Sequence, residues 1–214
     1  MLVLGDAHAA DPTRRQALDR AYRSASADVA LQVGDLQAYD LPVPTWFVAG
    51  NDDDLDVIER LRRSETPDGV TNARLIASEV VTVNGLRVAG LSGNYAPTQY
   101  EKDRAALSGD RRRHFTHEDV EAAMELPADI DVFLAHEAPH GLLEVDGYDV
   151  GCRPMDRILE RLEPRLCLIG HHHEHAEGTF GPSRTVALAP VWEGYYRLDP
   201  STLELERREP PEAT

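Results

Sequence analysis

The strongest constraint on the fold is that five separate apolar segments each end in side chains able to bind a metal ion. Each segment is short and rich in β-branched or aliphatic residues, as buried strands are. The polar side chains at their ends are Asp6 and His8, Asp35, Asn51 and Asp52, His136, and His171 to His173. In open α/β sheets, ligands bind outside the carboxyl ends of the strands. The pattern therefore predicts an α/β (α+β) fold in which these five strand ends form one polar site.

The segments between these strands indicate the helices and hairpins that connect them. Apolar residues at helical spacing predict helices over 11–25, 54–63, parts of 98–107, 117–125 and 153–164. Thr116 and Asp119 have the spacing of a capping box. Asn84-Gly85 predicts a hairpin turn within 72–92, and the last strands are predicted near 184–189 and 193–198. Since no repeat or linker interrupts the pattern, we expect one domain over 1–208 and a frayed tail over 209–214.

The charge balance limits which partners the chain can bind. It has 38 acidic and 22 basic residues, a net charge of −16, and Lys102 is its only lysine. This field repels phosphate backbones over a Debye length of about 10 Å at ordinary salt, so loose binding to nucleic acid is disfavoured. A phosphate-handling site in this chain needs local positive charge.

Hydropathy and cysteine usage indicate a cytoplasmic protein with no membrane partner. No apolar run approaches the roughly 20 residues that a membrane span needs, and a strand predicted from Met1 leaves no room for a signal peptide. Cys152 and Cys167 are the only cysteines, and they lack a C-x-x-C spacing. We expect both thiols to be reduced and packed.

The donor types at the strand ends favour transition metals. Imidazoles together with carboxylates and an amide suit manganese first, with iron, zinc or nickel as alternatives, rather than calcium. A bridging carboxylate allows two such cations to lie about 3.5–4 Å apart. In an extended loop, residues i and i+2 face the same side, so His171 and His173 are expected to face the site while His172 faces away. His172 is then either a substrate contact or a solvated loop residue.

The blocks of polar residues resemble those of the calcineurin-like metallophosphoesterases. That family has the motifs D-x-H, G-D, G-N-H/C-D, a strand-end histidine and G-H-x-H in this order. In this chain they stand as Asp6-Ala7-His8, Gly34-Asp35, Gly50-Asn51-Asp52-Asp53, His136 and Gly170-His171-His172-His173. The resemblance implies two facing mixed β-sheets flanked by helices, the four-layer sandwich of these enzymes.

The resemblance also implies a role for each strand-end residue. Asp6, His8 and His173 would hold one divalent metal ion, and Asn51, His136 and His171 a second. Asp35 would bridge the two ions. By the same resemblance Asn51, Asp52 and His136 are the catalytic residues, and a metal-bridging hydroxide would attack the phosphorus of a phosphate ester in line.

Other polar residues have two possible interpretations each. Asn94 and Tyr95 lie in "GLSGNY", which is either a substrate-binding loop or only a glycine-rich turn. Arg111-Arg112-Arg113, with His114 and His117, is expected to be a solvated, charged helix entrance. The alternative is a cationic patch near a substrate phosphate, which would be unusual on an otherwise acidic surface. His175 is expected to be a solvated loop residue.

Within this family, "RVAGLSGNY", "QYEKDR" and "RILERLEPRLCLIGHHH" are similar in order to segments of the RNA lariat debranching enzymes, which cleave 2′,5′-phosphodiesters. Those enzymes usually have cysteine where Asp6 stands and histidine where Asp52 stands. Three functions follow as hypotheses. They are a dinuclear-metal phosphodiesterase or phosphatase acting on a phosphate ester such as a nucleotide, a nuclease-like enzyme on branched or 2′,5′-linked RNA, and an inactive scaffold of the same fold.

The acidic composition also predicts how salt affects stability. Dense carboxylates with one lysine suit a salt-rich cytosol, because screening relieves repulsion between surface charges. We expect the melting temperature to rise as monovalent salt increases from dilute buffer toward molar concentration, measured by thermal unfolding. A melting temperature that stays flat or falls over this range would remove the inference of a halophilic protein.

Overall fold

Two six-stranded mixed β-sheets face each other and carry helices on their outer faces in the computed structural model, which describes residues 1–209. This arrangement confirms the predicted fold class. Of the predicted tail 209–214, all but Glu209 lies outside the described residues. Among the described residues, no helix is long and apolar enough to cross a bilayer.

The first sheet is parallel at its centre and antiparallel at one edge. In spatial order the strands are β14 (Leu205–Arg208), β13 (Tyr195–Leu198), β1 (Leu2–Leu4), β2 (Ala30–Gln32), β3 (Asp40–Phe47) and β4 (Thr71–Leu75). Strands β1 to β4 run parallel to one another, whereas β13 pairs antiparallel with both β1 and β14. The exits of β1, β2 and β3 therefore lie side by side.

The second sheet has the same plan, with a parallel centre and antiparallel edge strands. In spatial order its strands are β11 (Ala176–Phe180), β12 (Ser183–Ala187), β10 (Leu166–Ile169), β7 (Val132–Ala135), β6 (Leu86–Leu91) and β5 (Val80–Val83). A separate hairpin joins β8 (Glu144–Val145) to β9 (Tyr148–Asp149). The exits of β7 and β10 are neighbours, as those of β1, β2 and β3 are in the first sheet.

The helices are α1 (Pro12–Ala25), α2 (Leu55–Arg62), α3 (Pro97–Tyr100), α4 (His117–Met124) and α5 (Arg153–Leu162). Capping side chains begin α1, α2 and α4, whereas α3 and α5 begin with a proline in the first turn. The Asp11 carboxylate accepts hydrogen bonds from the backbone N–H groups of Thr13 and Arg14, so it satisfies donors that the first turn leaves free. The Asp119 carboxylate accepts from the N–H of Thr116 at 2.8 Å, as the capping-box spacing predicts.

The core is divided into three layers because alternate residues of each strand face opposite sides. In β1, Val3 packs between the sheets while Leu2 and Leu4 pack under the helices of the first sheet. In β10, Leu166 and Leu168 lie between the sheets while Cys167 and Ile169 lie under the helices of the second. Cys152 and Cys167 are free and buried, as expected.

Several element boundaries differ from the prediction. The strand predicted over 28–35 ends at Gln32, because Gly34 and Asp35 adopt left-handed backbone angles, with φ of 109° and 52°. The helix predicted in 98–107 is limited to α3 and a 3-10 turn at Arg104–Ala106. The hairpin β8–β9 was missed, although its turn is Asp146-Gly147, with φ of 53° and 78°, a pair that favours two-residue hairpins.

The close approach of the sheets gives a test at Gly90 of β6. A Cβ atom there would lie 2.6 Å from Val48 Cγ1 of the first sheet and 2.9 Å from the carbonyl oxygen of Leu134. We expect Gly90→Ala to lower the free energy of unfolding by about 1–3 kcal/mol through overpacking. Adding Val48→Ala should recover part of this loss, measured by urea unfolding as a double-mutant cycle. Unchanged stability in Gly90→Ala would contradict this packing of the two sheets.

Candidate metal centre

The exits of five strands meet at one edge of the paired sheets. Strands β1, β2 and β3 bring in four residues from the first sheet, and β7 and β10 bring in three from the second. These are Asp6, His8, Asp35 and Asn51, together with His136, His171 and His173. The seven residues predicted to bind metal are therefore near one another.

Asp35 lies at the centre of this group. Its Oδ2 is 3.4 Å from His136 Nε2 and 3.6 Å from His8 Nε2, and its Oδ1 accepts a hydrogen bond from the N–H of Asp52 at 2.7 Å. Asp35 forms two triads of possible ligand atoms, one with His136 and His171 and the other with His8 and Asp52. Within each triad the ligand atoms lie within 4.8 Å of one another. A carboxylate shared by two triads is suited to bridge two cations.

Asp6 is the second buried carboxylate of the group. Its Oδ2 accepts a hydrogen bond from the N–H of His171 at 2.9 Å and lies 3.7 Å from His173 Nε2. Its Oδ1 is 3.5 Å from His136 Nδ1 and has no hydrogen-bond partner among the described residues. Complete burial raises the pKa of Asp6 to about 7, although the nearby His136 lowers it in part. A cation beside this oxygen would satisfy it and favour the ionised form.

His136 Nε2 and Asn51 Oδ1 face each other, and both atoms are hydrogen-bond acceptors. His136 is fully buried, and its Nδ1 is 2.9 Å from the carbonyl oxygen of Val33. Because that carbonyl can only accept, Nδ1 carries the proton, and Nε2 faces Asn51 Oδ1 at 3.0 Å. Burial lowers the pKa of His136, but the contacts with Asp35 and Asp6 outweigh burial and raise it to about 10. The site thus attracts positive charge between Nε2 and Asn51 Oδ1, where either a proton or a metal ion would relieve the repulsion.

His8 and His173 converge in the same way on the other side of Asp35. Their Nε2 atoms are 3.1 Å apart, and their rings meet edge to face with centroids 5.1 Å apart. Trp192 packs against both rings, with centroid distances of 5.8 Å and 5.3 Å, and the Arg14 guanidinium lies 4.3 Å from its centroid. The indole orients both imidazoles. Nothing in the sequence pattern pointed to Trp192, because it is distant in the chain from every motif.

Burial and neighbouring imidazoles keep the histidine loop neutral. Burial lowers the pKa of His171 to about 3, assisted by the charge on His136. The pKa of His173 is lowered by burial and by His8. Neutral imidazoles have free lone pairs for transition metals, and two buried carboxylates supply the negative charge. The residues present therefore fit a centre of divalent metal ions.

The histidine loop reaches the site through a backbone that differs from the predicted one. His171 and His173 have φ of 75° and 56°, so the loop is left-handed at both positions rather than extended. The prediction of an extended chain over these residues was therefore wrong. His172 packs edge to face on His171 at 4.7 Å and, with Glu137 and His171, places ligand atoms within 4.8 Å of one another. Its Nε2 is buried without a hydrogen-bond partner among the described residues.

Asp53 organises the loops that carry Asp35 and Asn51, a role that the sequence alone did not reveal. Its Oδ2 accepts from the N–H groups of Asp35 at 3.0 Å and Gly50 at 2.8 Å. Its Oδ1 accepts from the N–H of Gln37 at 3.0 Å and the hydroxyl of Tyr39 at 2.9 Å. Burial and the charge on Asp35 raise the pKa of Asp53. Its position directly after Asn51-Asp52 was the available signal.

The predicted substrate loop lies beside the centre. The N–H of Gly93 donates to the carbonyl oxygen of Ala49, and the N–H of Tyr95 donates to Glu137 Oε1 at 2.8 Å. The Tyr95 ring packs between Tyr100 and Phe115 in the core of the second sheet. Asn94 Oδ1 is buried without a hydrogen-bond partner among residues 1–209. His175 lies apart from the centre, and its Nδ1 is 3.2 Å from the carbonyl oxygen of Ala187.

The role of Asp53 in holding the two loops can be tested by measuring the free energy of unfolding. Asp53→Ala leaves four hydrogen-bond donors without their acceptor, so we expect a loss of at least about 3 kcal/mol in the free energy of unfolding. Tyr39→Phe removes one donor to a charged group and should cost about 1.5–3 kcal/mol. The control is Asp54→Ala, which removes only the N-cap of α2 and should cost about 1 kcal/mol. If Asp53→Ala costs no more than Asp54→Ala in urea unfolding, the organising role is wrong.

Comparison with solved structures supports the fold. One crystal structure aligns over 98% of both chains with a TM-score of 0.73 and 16% identity. The crystal structure of the protein TT1561 of Thermus thermophilus aligns over 98% of both chains with a TM-score of 0.67 and 18% identity. At these identities the similarity concerns the fold alone.

Sequence comparison identifies the family. The chain is similar to the lariat debranching enzymes of Schizosaccharomyces pombe, with 30% identity over 159 residues, and Arabidopsis thaliana, with 26% identity over 156 residues. Both alignments cover 62% of this chain but only 33% and 37% of those proteins, so the chain spans about a third of the length of these relatives. The pattern of the calcineurin-like phosphoesterases matches residues 1–175. The resemblance inferred from the motifs is confirmed, and the chain belongs to the calcineurin-like phosphoesterase family.

Proposed function

We propose that this chain is a phosphodiesterase that works with two divalent metal ions bound at the strand exits. The observation that carries the proposal is the position of Asp35, whose carboxylate belongs to one triad of possible ligands with His136 and His171 and to another with His8 and Asp52. Asp6, His8 and His173 would hold one ion, Asn51, His136 and His171 would hold the other, and Asp35 would be shared by the two. Manganese is the first candidate, with iron, zinc and nickel as alternatives.

Hydrogen bonds within the chain hold two of the proposed metal ligands in position. When bound, the two cations polarise the phosphoryl oxygens and lower the pKa of the attacking water. The Asp35 carboxylate is held in place by the N–H of Asp52, and His136 is held by the carbonyl oxygen of Val33. Asp52 is exposed, with Oδ2 3.7 Å from His8 Nδ1, at the edge of the centre.

The likeness to lariat debranching enzymes favours a diester over a monoester, and supports a second candidate, cleavage of branched or 2′,5′-linked RNA. The net charge of −16 argues against a long RNA substrate, because the surface repels phosphates outside the centre. A third candidate, an inactive scaffold, is disfavoured by the intact ligand set. We therefore place a small phosphodiester, such as a nucleotide ester, first.

The acidic surface also supports a salt-rich cytoplasm as the setting of this enzyme. Lys102 is the only lysine, and the other 21 basic residues are arginines. The dependence of the melting temperature on salt tests this part of the proposal.

Two metal ions per chain are expected after reconstitution with manganese, measured by elemental analysis of the desalted protein. Asp35→Asn removes the bridging charge, so it should lower the stoichiometry below two ions per chain and lower the turnover of a panel of mono-, di- and cyclic nucleotide esters by at least about tenfold. Asp28→Asn removes an equal charge at an exposed position and is the matched control.

A stoichiometry that never exceeds one, or an activity unchanged by Asp35→Asn, would overturn the dinuclear proposal. Full metal binding without hydrolysis of any ester in the panel would instead favour the scaffold.

Asp52 leads to a prediction about leaving groups. Relatives usually have histidine at this position, and a histidine can protonate the leaving oxygen near neutral pH, whereas an ionised carboxylate can only accept hydrogen bonds. We expect the enzyme to hydrolyse nitrophenyl diesters faster than unactivated alkyl diesters. Asp52→His should raise the rate selectively for poor leaving groups, measured across diesters of graded leaving-group pKa. If Asp52→Asn abolishes turnover of activated esters as well, Asp52 has a direct role and the prediction is wrong.

A further inference from the structure

A cavity of about 340 Å³ adjoins the metal centre on the side of Asn51 and Asp52. Its other walls are the first turn of α2 and the 3-10 turn Gly109–Arg113. Arg112 and Arg113 line it, whereas Arg111 is exposed and does not. The structure thus places two of the three consecutive arginines beside the centre, although the sequence favoured a solvated helix entrance for all three.

The Arg113 guanidinium has N–H donors that no described residue accepts. Among the described residues its hydrogen bonds are limited to one from Nε to the carbonyl oxygen of Asp110 at 2.8 Å. The nearest carboxylate oxygen, Asp110 Oδ2, is 3.7 Å from its terminal nitrogen, beyond hydrogen-bond distance. Two N–H groups on one edge of a guanidinium match two oxygens of a phosphate, so Arg113 can bind phosphate in a bidentate manner.

The carboxylates of the cavity are mostly engaged elsewhere. Asp53 accepts four hydrogen bonds under the loops, and Asp54 caps α2 through the N–H groups of Asp56 and Val57. Asp56 pairs with Arg112 at 2.8 Å. Five aspartates and two arginines line the cavity, so free phosphate is expected to bind weakly there. A phosphate attached to a group already bound at the centre has a raised effective concentration, which offsets this repulsion.

We infer that Arg113 binds a second phosphate of the substrate, one that lies next to the phosphodiester being cleaved. This inference rests on the proposed phosphodiesterase function and narrows its substrate class to diesters that carry an additional phosphate, such as phosphorylated dinucleotides. Arg113 is a specificity-determining residue, which contacts the substrate away from the reacting atoms. Arg112, on the same 3-10 turn, remains paired with Asp56 of α2.

The experiment compares a dinucleoside monophosphate with the same compound bearing one additional phosphate at its 5′ or its 3′ end. Hydrolysis by the manganese-loaded protein gives kcat and KM. Calorimetric titration with analogues in which methylene groups replace both ester oxygens of the linkage, so that the linkage has no P–O–C bond to hydrolyse, gives binding without turnover. The variants are Arg113→Gln, Arg113→Lys and the matched control Arg111→Gln, each checked for an unchanged melting temperature.

We expect the wild type to bind one of the two phosphorylated compounds about tenfold to hundredfold more tightly than the unphosphorylated one, the size of a charge-assisted contact. Arg113→Gln should abolish this preference through KM with kcat unchanged, Arg113→Lys should restore part of it, and Arg111→Gln should keep it. Equal binding of all three compounds by the wild type, or a preference that persists in Arg113→Gln, would overturn the inference. If no diester is hydrolysed, the proposed function fails, while the titration still decides the role of Arg113.

Discussion

The structure depends on holding two buried carboxylates, Asp6 and Asp35, close together at the junction of two sheets. Ionised carboxylates are costly to bury unless an opposite charge or several hydrogen bonds compensate them. Among the described residues, every ion-pair partner within 4 Å of these two groups is a histidine. Asp35 and Asp6 raise the pKa of His136 although this imidazole is fully buried, so the centre favours a positive charge. We propose that divalent cations supply that charge and leave the imidazoles free to act as neutral ligands.

The topology makes this concentration of charge possible. Because β1, β2 and β3 are parallel neighbours in one sheet and β7 and β10 are parallel neighbours in the other, their carboxyl ends open at a common edge. Strands of only three or four residues are long enough to anchor these loops, because their alternating side chains are buried on both faces of the sheet. The loops are then fixed by polar contacts. Asp53 ties the loop after β2 to the loop after β3, and the N–H of His171 ties the loop after β10 to Asp6.

The fold and the grouping of the strand-end residues were largely accessible from the sequence because both depend on local patterns. Apolar runs mark strands, and the polar residues that end them mark the shared edge, so Asp6, Asp35 and His136 could be placed together without coordinates. Residues that act through tertiary contacts could not be found in this way. Trp192 orients His8 and His173 from a distant segment, and Asp53 is distinguished from Asp52 only by the direction in which its side chain lies. The inferred role of Arg113 likewise depends on a tertiary contact, because its 3-10 turn lines a cavity beside Asn51.

The most direct test of the bridging role of Asp35 is a crystal structure of the manganese-loaded protein with anomalous diffraction data. We predict two anomalous peaks about 3.5–4 Å apart. Asp35 should contact both peaks, with Asp6, His8 and His173 around one and Asn51, His136 and His171 around the other. A single peak, or two peaks without a shared Asp35 carboxylate, would contradict the bridging role on which the proposed function depends.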